Sequence, residues 1–207
     1  MCAKGVAAHG MDTIGLIGTA ASLSLLSGWR VYLCVLATGI AMHFGWLALP
    51  EHLHGLRVLS SPWVMGASGA GVLAEFFADK IAWIDSLWDA VHTAIRPVGG
   101  ALLALAVVDA NDPTWQIVSV LLGGGAALMG HAAKAGSRAV VNASPEPFSN
   151  IVVSTGEDVT TTGLLIAALA NPVVALVVAL GVALGSVTLI VMVRRLLSKL
   201  MPAPAAR

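Results

Sequence analysis

Residues 173–193 read VVALVVALGVALGSVTLIVMV. The run has 21 residues and no charge, so as a helix it rises about 31 Å, close to the roughly 30 Å hydrocarbon core of a bilayer. A helix satisfies its own backbone polar groups without water, so the run predicts a membrane-crossing helix. Arg194, Arg195 and Lys199 follow it, the basic flank expected on the cytoplasmic side.

The rest of the chain agrees with that stretch. It is 57% hydrophobic and 11% charged, with a mean hydropathy of +0.88. Soluble domains carry about 25% charged residues, so the 207 residues read as one integral domain of a cell (inner) membrane, with the lipid bilayer as first partner. Lys+Arg and Asp+Glu both number 11, which argues against a nucleic-acid partner. Cys2 and Cys34 make no zinc spacing and predict no disulfide. Residues 1–12 are short and polar without a basic leader, so no removable signal peptide is expected.

Seven apolar segments emerge, at residues 13–26, 31–49, 62–77, 97–108, 115–130, 159–170 and 173–193. The expected fold is an all-α polytopic membrane protein with six to seven transmembrane or half-spanning helices. It divides into an N-terminal helix pair (13–60), two repeats (61–113 and 114–172), and a last helix with a basic tail (173–207).

The repeats rest on two short segments, PVGGALLALAVV (97–108) and VTTTGLLIAALA (159–170). Each has 12 residues, about 18 Å as a helix, too short to cross alone. Each follows a charged stretch, 79–96 or 134–158, and precedes a turn, Asn111-Asp112-Pro113 or Asn171-Pro172. The pattern predicts parallel repeats of helix, polar segment and short helix. Short hydrophobic segments in corresponding places of two repeats point to a membrane-embedded site.

Placing Arg194, Arg195 and Lys199 in the cytoplasm and alternating backwards puts Arg30, Lys80, Arg96, Lys134, Arg138 and Arg207 on the same side. Only Lys4 and Arg57 fall outside. The positive-inside rule then predicts an outside N-terminus and a cytoplasmic C-terminus. Trp46, Trp63, Trp83, Trp88 and Trp115 lie near segment ends, as interfacial anchors do.

The first polar segment carries the richest pattern. Asp85, Asp89, His92 and Arg96 share one helical face, and Ile81, Ile84, Trp88, Val91 and Ile95 form an apolar stripe on another. This suits either an amphipathic helix lying in the cytoplasmic interface or a re-entrant helix whose polar face lines a cavity. The short helix that follows favours the second. Glu75 and Asp79 stand one turn apart before it. An acid there marks a pathway, the water boundary, or an ion pair with Lys80 or Arg96. His131 reads as a proton-transfer group or a hydrogen-bonded cap.

In the second segment, Pro145 and Pro147 favour extended backbone, which predicts an irregular loop folded back into the bundle with Asn142, Ser149 and Asn150 facing the first segment. Glu157 and Asp158 read as carboxylates at the start of a helix beginning near Val159. Arg30 reads as a cytoplasmic turn residue between two crossings, or, if that pair dips in and out, as a deeper group for an anion. Gly181 and Gly185 suit helix packing within the chain or in a homo-oligomer. No catalytic residue, metal site or cofactor follows from any motif: HExxH, a P-loop and a Gly-x-Ser-x-Gly elbow are all missing.

The stretch from Leu73-Ala74-Glu75-Phe76-Phe77-Ala78-Asp79-Lys80 through Trp83-Ile84-Asp85-Ser86-Leu87-Trp88-Asp89-Ala90-Val91-His92-Thr93 to Arg96-Pro97, with His131 to Arg138 and Asn142 to Asn150, resembles the bacterial integral membrane family catalogued as domain of unknown function 4126. The resemblance runs from about Thr13 to Val193, with Ala82 where many relatives have proline. It implies a topology and no mechanism.

The expected function is permeation of a small solute, ion or lipid headgroup. Its candidate site residues are Glu75, Asp79, Asp85, Asp89, His92, Arg96, His131, Asn142, Ser149 and Asn150. The rival expectations are a membrane enzyme on a lipid-linked substrate, with Asp89 and His92 as acid and base, and a scaffold that docks through residues 79–96.

Overall fold

The computed structural model describes residues 13–46, 57–107, 112–143 and 147–200. Six helices make up nearly all of them: α1 (Thr13–His43), α2 (Pro62–Ala78), α3 (Ala82–Val107), α4 (Pro113–Asn142), α5 (Pro147–Ala170) and α6 (Pro172–Leu200). There is no strand among the described residues. Four helical stretches are long and apolar enough to cross a membrane: Ile17–His43, Ala82–Val107, Pro113–Asn142 and Val173–Leu196. The expectations placed on Cys2, Lys4, Asn111, Pro145 and Arg207 lie outside the described residues.

Three helices start by one device, a polar cap followed by proline. The Ser61 hydroxyl accepts from the Val64 amide, the Asp112 carboxylate from Thr114, and the Asn171 carbonyl from Val173 and Val174. Each cap occupies an otherwise orphaned N–H, and proline at the first helical position has no N–H to waste. The turns read at Asp112-Pro113 and Asn171-Pro172 are therefore helix starts.

The two short segments are not separate helices. Residues 97–107 continue the helix that begins at Ala82, with Pro97 inside α3, and residues 159–170 continue the helix that begins at Pro147. The charged stretch before each is the first half of the same helix. The missing N–H of Pro97 is tolerable where neighbouring helices and hydroxyls can satisfy the freed backbone. The irregular loop expected over 134–158 is helical on both flanks: residues 134–142 belong to α4 and residues 147–158 to α5.

In α1 the first apolar segment and the second as far as His43 form two helical arms that meet at a single non-helical residue. Arg30 has φ −143° and ψ 78°, outside helical geometry. Both arms of α1 lie against the same stretch of α3. Ser24 donates to the Gly100 carbonyl at 3.0 Å, while Val31 packs against Gly99. Ala20 and Leu23 of the first arm and Cys34 of the second join Leu103, Ala106 and Val107 in one cluster. The chain therefore doubles back at Arg30, and the second arm continues past Tyr32 at Gly71 to Gly39 beside Met65 of α2.

Small residues permit this close packing. A methyl on Gly28 would collide with the Ala127 carbonyl of α4, and one on Gly100 with the Ala127 side chain. In lipid, where water drives no association between helices, such close backbone contact is a main source of helix affinity. The interior then divides at Arg30. One half is the apolar cluster of Leu23, Leu26, Leu103, Leu165, Ala175 and their neighbours. The other half holds buried charge.

Candidate functional site

The charged half is assembled from five elements. α3 offers Asp85, Asp89, His92 and Arg96, all buried. The stripe opposite faces outward, with Ile81, Val91 and Ile95 exposed. The helix is thus amphipathic with its polar side inward, opposite to a helix resting on the interface. α4 answers with His131, Lys134, Arg138 and Asn142, spaced to share one face, the first three buried. The end of α2 adds Glu75 and Asp79, the break in α1 adds Arg30, and α5 adds Asn150, Ser154, Glu157 and Asp158.

Arg96 is fully buried near the middle of α3. Its Nη2 donates to Glu75 Oε1 at 2.8 Å, and its Nη1 to Asp89 Oδ1 at 2.8 Å and to His131 Nδ1 at 2.5 Å. A guanidinium can only donate, so His131 Nδ1 is the acceptor nitrogen and its Nε2–H donates to Thr93 Oγ1 at 2.9 Å. Glu75 therefore belongs to a buried ion pair, and His131 is held by α3 as well as by its own helix.

His92 is held apart from that network. Its Nδ1 lies 2.7 Å from the Trp88 carbonyl, which must accept, and its Nε2 takes the Tyr32 hydroxyl at 3.0 Å. The Trp88 ring stacks on His92 at 4.4 Å, and Tyr32 lies 6.3 Å from it. Trp46, Trp63, Trp83 and Trp115 are exposed. Asp89 and His92 do not bond to each other: Asp89 is held by Arg96, and His92 by Trp88 and Tyr32.

A second knot surrounds Asp79, in the connection between α2 and α3. Lys134 Nζ and Arg30 Nη1 each sit 2.7 Å from its Oδ2, and Arg138 Nη2 donates to its backbone carbonyl. Burial raises the Asp79 carboxyl, but Lys134 and then Arg30 outweigh it and hold the group below the ordinary carboxylate value. Arg138 also donates from Nε to Asp85 Oδ2 at 3.1 Å and from Nη1 to the Asn150 carbonyl at 3.3 Å. Asn142 shares Asp85 at 2.6 Å. One arginine thus ties α3, α5 and the end of α2 to α4.

Arg30 completes the ring. Its Nη2 lies 2.7 Å from Asp158 Oδ1, while Lys80 reaches Asp158 Oδ2 at 3.4 Å and Ser154 Oγ at 3.3 Å. Arg30 stands where α1 doubles back, as the turn-residue reading expects, and it is buried there. Its anionic partners are two aspartates of the chain itself.

Of the sequence candidates, Glu75, Asp79, Asp85, Asp89, Arg96, His131, Asn142 and Asn150 meet in this centre. His92 lies beside it, and Ser149 is half-buried next to Asn150. Sequence reading passed over Lys134, Arg138, Ser154, Glu157 and Asp158 as members. Lys134 and Arg138 count as cytoplasmic loop charges when taken singly. Their spacing from His131, matching the polar face of α3, was the available signal. Glu157 and Asp158 do not start a helix, since α5 begins at Pro147. Among the described residues no three His, Cys, Asp or Glu side chains gather as metal ligands. The acids are instead engaged mostly by Arg and Lys.

Fold and centre together define a class: an all-helical protein with, among the described residues, four stretches of the length and apolar composition of membrane helices and a ring of buried ion pairs where α1 doubles back. The chain belongs to the family described as Domain of unknown function (DUF4126), whose match covers residues 17–195. No curated protein and no solved structure matches it.

Proposed function

We propose that the protein is a permease for a small charged solute, an ion or a lipid headgroup, with its site in the ion-pair ring around the Arg30 break. The observation that carries this reading is the break itself. It places a buried guanidinium against Asp79 and Asp158 at 2.7 Å, at the point where α1 doubles back between two apolar arms. Non-helical backbone at membrane depth persists only where protein buries it or a cavity opens on it, and discontinuous helices form the sites of many transporters. Buried ion pairs contribute less stability than apolar packing of the same volume, so stability alone is a weak reason to keep so many. Ionisable groups in membrane helices mark pathways by default.

The helix pairs α2–α3 and α4–α5 each run from a polar end into a polar start, which supports two parallel repeats flanking the ring. Val193 of α6 packs beside Gly136 of α4, so Arg194 and Arg195 lie at the charged end of the bundle. With that end in the cytoplasm, the site opens inward and the N-terminus lies outside.

A single cysteine at Asn150, in a Cys2→Ser, Cys34→Ser background, tests the reading. Membrane-impermeant thiol reagent applied from each side of oriented vesicles should label it from the cytoplasmic side, and a transported solute should slow the labelling. A position sealed from both sides under every solute tried would make the ring a static fastening and defeat the proposal.

A further inference from the structure

The charges of the ring nearly pair off. Arg96 serves Glu75 and Asp89, Lys134 and Arg30 serve Asp79, Arg138 serves Asp85, and Lys80 joins Arg30 on Asp158. Each cation can be set against one acid, and Glu157 is the acid left over. It is 7% exposed, and among the described residues it makes no ion pair and its Oε2 has no hydrogen-bond partner. It belongs to a buried face of α5 with Asn150, Ser154 and Thr161.

An unpaired buried carboxylate is costly, and such a group takes a counter-ion or a proton. The charged groups acting on Glu157 are Lys134 and Arg138 of α4, Arg30 of α1, and Asp79 after α2. α6 also packs on α5, but its Arg194, Arg195 and Lys199 stand only near its C-terminal end. Three nearby cations repel a metal ion, and a hard cation needs several oxygen ligands where Glu157 offers one carboxylate. A proton needs neither.

We propose that Glu157 is a proton-binding site: it carries one exchangeable proton, and that proton balances the buried charge. Once deprotonated, Glu157 competes with Asp79 and Asp85 for Lys134, Arg30 and Arg138, so proton loss acts directly on the contacts that hold the helix break. The inference goes beyond the permease reading and stands whether or not a solute crosses.

The test is infrared spectroscopy of the purified full chain in lipid nanodiscs as pH is stepped upward. The wild type should show the carbonyl stretch of a protonated carboxylic acid at neutral pH, fading at alkaline pH. Glu157→Gln should lack the band, and Glu157→Asp should restore it with a shifted midpoint. Should the Gln variant not fold, dicyclohexylcarbodiimide, which adds to protonated carboxyls in apolar surroundings, decides on the wild-type chain. Peptide mass mapping should then place the adduct on Glu157, in an amount that falls as pH rises. A wild type without the band, a band that survives in Glu157→Gln, or an adduct on Glu75, Asp79, Asp85 or Asp89 instead overturns the proposal.

Discussion

The same helices run through two unlike interiors. On one side of Arg30, α1, α3, α5 and α6 meet through Leu23, Leu103, Leu165 and Ala175. On the other, α1, α3, α4 and α5 meet through Arg30, Arg96, Lys134, Arg138 and the acids that hold them. The apolar half could pack against lipid nearly as well as against itself, because acyl chains are as apolar as leucine. The charged half has no such alternative. Each arginine needs a particular carboxylate on a particular neighbouring helix, so this half dictates which faces meet, and it carries the cost that points to function.

The largest expected effect tests that difference directly. Arg138→Ala strands Asp85, the Asp79 carbonyl and the Asn150 carbonyl together, and should destabilise the chain by about 3–5 kcal/mol, as loss of one partner of a buried pair does. Buried Cys34 is the reporter: in a Cys2→Ser background, its reaction with a thiol dye during heating in detergent follows unfolding. A melting temperature close to wild type would show that the ring is not what aligns the helices.

Leu103→Ala probes the other half with the same assay. In a water-soluble core such a change costs about 2–5 kcal/mol. Here the part due to transfer from water is largely missing, so about 1–2 kcal/mol is expected, from lost packing alone. A loss as large as that of Arg138→Ala would erase the distinction between the halves.

The pH response of Asp79 comes next. Its folded-state pKa is depressed, so its contribution is fully present above the unfolded value of about 3.9 and is lost as pH falls through the lower folded value. The wild-type melting temperature should exceed that of Asp79→Asn at neutral pH, and the gap should narrow only below about pH 4. A gap that closes between neutral pH and pH 5 would contradict the ion-pair assignment.

The smallest effect is expected on α6. A methyl on Gly185 meets nothing within 4 Å, so Gly185→Ala should change stability by less than about 0.5 kcal/mol if that face meets only lipid. A larger loss, accompanied by loss of chemical cross-linking between chains, would show that a second copy packs there.

Much of this was written locally. The uncharged run at 173–193 became α6, Asp112-Pro113 and Asn171-Pro172 became helix starts, and the spacing of Asp85, Asp89, His92 and Arg96 put them on one face of α3. Hydropathy misled at the two short segments. Counting apolar residues started α3 only at Pro97 and α5 only at Val159, because it scores the charged first half of a helix as surface whether or not a partner neutralises it.

Local spacing and hydropathy thus determined helix identity, most helix starts and the existence of polar faces, since these depend on residues within a turn or two of each other. Only the tertiary structure decided where those faces point. The partner of Asp79 lies 55 residues away at Lys134, and Asp85 meets Arg138 across 53. No window along the chain shows that two charged faces will cancel inside a bundle. Nor does it show that Glu157 is left without a cation of its own, because electrostatic pairing depends on distance in space and only incidentally on distance in sequence.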